Sequence, residues 1–157
     1  MDFLDEEILS VWKSFYSNSV KHILIGGFAT NLHGFHRTTG DLDVWLENSL
    51  ENRQRLRKSF KELGLGDLEE LETMEFLPGW TSFRLNSGFE LDIMTRIKGF
   101  DETQFNDCYA LAPIAHLFDI PIKFLHINHL IEAKKASGRE KDLIDIIALE
   151  KLRDLTI

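Results

Sequence analysis

A mixed α/β or α+β fold, a mixed β-sheet flanked by helices, is what this sequence predicts. Three observations predict it. Helical and strand periodicities alternate along a chain of 157 residues. Two short alternating runs flank the turn residues Asn86-Ser87-Gly88, which is a hairpin signal. Capped amphipathic helices separate the remaining apolar runs, as expected where helices pack on a sheet. The length suits one domain, residues 1–157, with a helical C-terminal segment at 128–155.

Each element follows from local pattern. Residues 4–16 place Leu4, Ile8, Val11, Trp12 and Phe15 at helical spacing, and Asp2 or Asp5 can cap that helix. Asn18-Ser19 breaks it. Residues 21–25 read as a buried strand and 28–33 as a short helix ending near Gly34. Residues 41–46 form the next strand. Asn48 is the expected N-cap of a helix reaching about residue 63, with Glu51 as its capping-box partner and Gly64 as its stop. Arg53, Arg57 and Lys61 share one face of that helix, a solvated face or a nucleic-acid contact; Leu56, Phe60 and Leu63 share another. Residues 65–79 give no clear pattern. Strands are expected at 81–85 and 89–95, joined by the turn. Residues 100–106 are ambiguous, residues 109–117 hold a candidate strand, and 121–126 read as a short strand. Asn128 is the expected cap of a helix through residue 136. Gly138 interrupts, and residues 140–153 form a last helix with Leu143, Ile146, Ile147 and Leu149 inward.

Composition narrows the function. Apolar residues make up 43% of the chain, ample for a core. No apolar run is long enough to span a bilayer, and the start, Met1-Asp2-Phe3-Leu4-Asp5-Glu6-Glu7, is the opposite of a basic secretory leader. The single Cys108 excludes an internal disulfide, so a reducing cytoplasm is the expected location. A net charge of −8 argues against a whole-surface nucleic-acid binder. Local basic patches remain, because half of the 18 basic residues fall within 53–61 and 134–141.

The chemistry centres on Gly26-Gly27 and Asp41-Leu42-Asp43. A strand runs into two glycines and a short helix; a second strand then carries two carboxylates one residue apart. Side chains at i and i+2 of a strand share a face, roughly 6.6 Å apart along the backbone, so both acids can converge on one divalent cation. The glycines let backbone N–H groups approach a phosphate. Residues 89–94 alternate so that Glu90, Asp92 and Met94 share a face. If that strand lies beside 41–46, Asp92 joins the other two acids around one or two Mg2+ ions, with Mn2+ as a substitute. Such a group can hold a triphosphate and activate a hydroxyl for attack on the α-phosphate.

The string Gly-Gly-x-Ala-x-x-x-His-Gly-x-x-Arg-x-Thr-x-Asp-x-Asp, from Gly26 to Asp43, with Asp92 on a later strand, resembles the nucleotidyltransferase superfamily typified by DNA polymerase beta. Within it the chain is most similar to the minimal AbiEii-type nucleotidyltransferases, toxin components of abortive-infection and toxin–antitoxin systems. The run Lys135-Ala136-x-x-Arg139-x-Lys141-Asp142-x-x-Asp145 resembles that group's terminal helices. The likeness implies a nucleotidyltransferase fold, an NTP as donor, and an acceptor that is RNA, protein or a small molecule. It implies metal binding by Asp41, Asp43 and Asp92, with Asp92 also a general base. Triphosphate contacts would come from the Gly26 and Gly27 backbone and from Lys135 or Lys141. An antitoxin protein is an implied partner. Many superfamily members have Gly-Ser where this chain has Gly26-Gly27, so one side-chain phosphate contact is missing here.

Other residues carry competing readings. Thr39 shares the face of Asp41 and can bond its carboxylate beside the nucleotide; Arg37 shapes the loop. His33 and His36 are loop or packing residues that could line the pocket. His126-x-x-His129 lacks the further partners of a zinc site. Asp142 and Asp145 can pair with Arg139 or Lys141. Cys108 lacks the neighbours of an activated nucleophile. A nucleotide-binding regulator or toxin–antitoxin component without transferase activity is the alternative function; an interaction module whose acids bind no metal is a third.

Overall fold

The computed structural model describes residues 5–155. Its first helix, α1 (Glu6–Ser17), is capped by Asp5, whose side chain accepts from the Glu7 N–H at 3.0 Å. The alternative cap Asp2 and the apolar position Leu4 lie outside the described residues. Strand β1 (His22–Ile25) leads directly into α2 (Gly26–Leu32), so the two glycines are the first turn of the helix rather than a loop before it. Strand β2 (Asp41–Leu46) has the expected bounds.

Helix α3 (Leu50–Glu62) is capped by Ser49, which accepts from the Asn52 N–H at 3.1 Å, and not by Asn48. The Asn48 amide is instead held by the guanidinium of Arg53 and the carboxylate of Glu102. Two of the three cations on the basic face of α3 make contacts within the fold, while Lys61 is exposed. Arg53 is buried, donates to the carbonyls of Leu71 and Met74, and stacks on Phe76. Arg57 pairs with Asp67 and Glu72. Those cations pin down the segment 65–76, including a 3₁₀ turn at Glu69–Glu72, which had no readable periodicity.

The expected hairpin is present as β3 (Ser82–Arg84) and β4 (Glu90–Met94), paired antiparallel. The ambiguous stretch holds a 3₁₀ turn at Glu102–Gln104 and the first two residues of helix α4 (Phe105–Leu111), which also takes the start of the strand expected at 109–117. The strand proper is β5 (Ile114–Leu117), in a second hairpin with β6 (Ile120–Lys123). Helix α5 (Ile127–Ser137) is capped by the His126 ring, which accepts from the Asn128 N–H, so Asn128 is the second helical residue and not the cap. Gly138, left-handed at φ +67°, ends it. Helix α6 (Glu140–Leu155) closes the fold.

The main sheet has the order β1-β2-β4-β3. Strands β1 and β2 are antiparallel, while β2 and β4 are parallel, with α3 within the crossover between them. The sheet is therefore mixed. The second hairpin joins it where Phe124 bridges Leu24 and the Leu125 N–H donates to the Leu24 carbonyl at 2.9 Å. Leu42, Val44, Leu91 and Ile93 enter one continuous core with Ile8, Trp12, Leu56 and Phe60. The opposite face of β2 carries Asp41, Asp43 and Trp45. Trp45 is covered by Phe100 and Phe105, so only the carboxylate end of that face stays open. Among the described residues, no helix is long and apolar enough to cross a membrane.

Candidate active site

The parallel ladder between β2 and β4 sets Asp43 opposite Asp92 and Asp41 opposite Glu90. Residues in register on adjacent strands present their side chains to the same face, so the sheet gathers four acids there. Asp43 and Asp92 are close enough for their charges to interact. Burial pushes the Asp43 carboxyl up, to about 7, with the Asp92 charge and the Asp41 charge acting in the same direction. Asp41 is also raised, first by burial, then by Asp92 and Glu90. Ser82, in register with Asp92 on β3, gives its hydroxyl to the Asp92 carboxylate.

The glycines are shaped around these groups. Gly26 has φ +69°, and a Cβ there would lie 2.2 Å from Oδ2 of Asp43. No side chain fits between the helix start and the acid. A Cβ on Gly27 would lie 2.6 Å from Oγ1 of Thr39. The Thr39 hydroxyl donates to the Asp41 backbone carbonyl at 3.3 Å, not to its carboxylate as the pattern suggested. Asn31 holds the intervening loop through paired bonds to the Arg37 backbone, both 3.0 Å.

The cations divide in an unexpected way. Lys141 is exposed at the start of α6, and its charge lowers the Asp41 pKa against the acids. Lys135 is more than half exposed and lies 4.0 Å from Glu150. The inward cation of α5 is Lys134, missed by motif reading. It is buried, bonds Asp145 at 2.9 Å and lies 3.7 Å from Asp142. Its charge reaches Asp43. Arg37 bonds the same Asp145 oxygen at 2.8 Å, and Arg139 holds Asp142. Helical spacing could have identified it, because Lys134 lies on the face of Leu130 and Ile131, whereas Lys135 turns off that face. The second missed residue is Glu90, already on the Asp92 face by alternation.

Among the described residues, no three His, Cys, Asp or Glu side chains are grouped as a ready-made metal cage. The donors nonetheless suit Mg2+. They are oxygen-only, they repel one another as they stand, and Mg2+ characteristically takes one or two carboxylates together with substrate phosphates. The histidines are employed elsewhere. His33 bonds the Leu125 carbonyl at 2.7 Å, His126 caps α5, and His36 is exposed. Cys108 is buried, with its thiol pushed up to about 11 by burial, and is inert at neutral pH.

Compared with protein-family models and with curated proteins, the chain gives no match.

Proposed function

We propose that this protein is a metal-dependent nucleotidyltransferase. It would transfer an NMP from an NTP to an acceptor hydroxyl, with Asp41, Asp43 and Asp92 as the acidic centre. The single observation that supports this best is the side-by-side placement of Asp43 and Asp92 on adjacent parallel strands, with Gly26 stripped of any side chain directly against Asp43. Asp43, raised by burial and by the Asp92 charge, costs stability in its charged form. A fold that keeps it beside a bare backbone is suited to a cation and a phosphate.

Asp43 and Asp92 would hold the metal, with Asp41 completing its carboxylate contacts. Mg2+, when bound, supplies countercharge to the acids and electrophilic assistance at the phosphoryl group. The open backbone of Gly26 and Gly27 leaves room for triphosphate oxygens, and Lys141 supplies charge beside Asp41. Lys134, fixed by Asp145, provides a permanent positive potential behind Asp43. The Asp92 carboxylate takes the proton of the attacking hydroxyl. The hydroxyl oxygen bonds the α-phosphorus, the bond to the β-phosphate bridging oxygen breaks, and pyrophosphate leaves. The same resemblance supports a toxin role with an antitoxin partner as a subsidiary reading.

Incubation with labelled ATP, GTP, CTP and UTP in cell extract tests the activity and names donor and acceptor together. Mg2+-dependent labelling that Asp43→Ala abolishes supports the proposal. Equal labelling by that variant refutes it. Binding of an NTP with Mg2+ but no pyrophosphate release with any acceptor favours the non-transferring regulator instead.

A further inference from the structure

Helix α6 has apolar side chains on two opposite faces. Ile146 and Leu149 enter the core, beside the buried Asp142 and Asp145. On the other side Leu143, Ile144 and Ile147 are 58%, 65% and 58% exposed. The sequence pattern placed Leu143 and Ile147 inward with Ile146 and Leu149; the structure turns them out, because the ion pairs of Asp142 and Asp145 with Lys134 fix the helix's rotation. A surface helix of a monomer keeps its outer face polar. A contiguous aliphatic stripe marks a contact surface.

The charges around the stripe indicate its occupant. At 100° per residue, Glu140, Ile147 and Lys151 lie along the same exposed line. Two copies of α6 can pack antiparallel about a two-fold axis, each residue facing a fixed counterpart. An axis between residues 145 and 146 sets Ile144 against Ile147 and Leu143 against Ala148. It also sets Glu140 against Lys151, twice. An axis through Ile147 instead sets Glu140 against Asp154 and Lys151 against Leu143. The charges of α6 are thus complementary in the first of these two registers and mismatched in the second. Among the described residues neither Glu140 nor Lys151 has an ion-pair partner within the protomer, so both are free to pair across the axis.

We propose that the chain forms a two-fold symmetric homodimer through antiparallel α6 helices, with Leu143, Ile144 and Ile147 at its centre and Glu140–Lys151 pairs at its ends. The interface lies on the face of α6 opposite the buried Asp142 and Asp145. The inference is independent of the proposed activity.

Sedimentation velocity on the full chain from ~1 to ~100 µM, the range of modest interfaces, tests it. The wild-type protein is expected to shift from protomer to twice that mass. Ile147→Glu is expected to stay monomeric with an unchanged circular dichroism spectrum and melting temperature. Glu140→Lys is expected to weaken association about tenfold, and Glu140→Lys with Lys151→Glu to restore it. A wild-type protein that is monomeric throughout, whatever other partner it takes, overturns the proposal. So does a dimer that Ile147→Glu leaves intact, or a double variant no better than Glu140→Lys.

Discussion

Asp43 and Asp92 are register partners on two parallel strands, and the Asp92 charge adds to burial in raising the Asp43 carboxyl. Both acids also lie within the field of Asp41. In the folded protein the Asp43 carboxyl is raised above its ordinary value, so its charged form opposes folding at neutral pH. Asp43→Asn removes that opposition while keeping the shape. The variant is expected to melt higher than wild type, by about 1 kcal/mol of added stability, and to have no transferase activity. Thermal denaturation without divalent metal checks the first half, and NTP labelling the second.

Gly26 is the position where sequence freedom is most restricted. Its φ of +69° penalises any side chain, and a Cβ would collide with the Asp43 carboxylate. Gly26→Ala is expected to cost about 1–3 kcal/mol and to displace Asp43. Chemical denaturation measures the cost, and loss of metal-dependent labelling reports the displacement.

The two neighbouring lysines of α5 separate cleanly. Lys134→Met leaves Asp145 and Asp142 with a missing cation in a buried network, a loss of about 3–5 kcal/mol. Lys135→Ala touches an exposed pair and is expected to change stability by less than about 0.5 kcal/mol. Urea unfolding of both variants distinguishes them. If Lys135 carried the triphosphate, its loss would remove nucleotide binding; the geometry predicts little change there.

His22 sets an acid limit. Burial pushes its imidazole down to about 4, with the Val20 carbonyl opposing weakly; the ring stacks on Trp12. The unfolded chain takes up a proton near pH 6.5 that the folded state refuses until about 4. Stability is therefore full above the unfolded value and falls as the pH drops through that window, by on the order of 3 kcal/mol. His22→Phe is expected to flatten the pH dependence of the melting temperature there, with wild type and variant compared at several pH values.

Much of this centre was legible in the chain. Alternation in residues 89–94 put Asp92 on the face opposite Leu91, and one strand pairing then sufficed to bring it to Asp43. Gly26 stood out as well, and its φ of +69° is a backbone that few other residues tolerate. What stayed hidden depends on contacts distant in sequence. Arg53 and Arg57 look like a solvated stripe until the segment 65–76 folds onto them. Ser49 rather than Asn48 caps α3 because Asn48 is drawn off by Arg53 and Glu102. The outward turn of Leu143 and Ile147 follows from ion pairs to Lys134, which the helix's own periodicity does not encode.

Calorimetric titration of a non-hydrolysable NTP into wild type, Asp43→Asn and Asp92→Asn, with and without Mg2+, tests the acidic centre most directly. Binding to wild type is expected only when Mg2+ is present, with loss of that binding in both variants, each still folded. Binding that is indifferent to Mg2+, or unchanged in Asp92→Asn, would contradict that expectation.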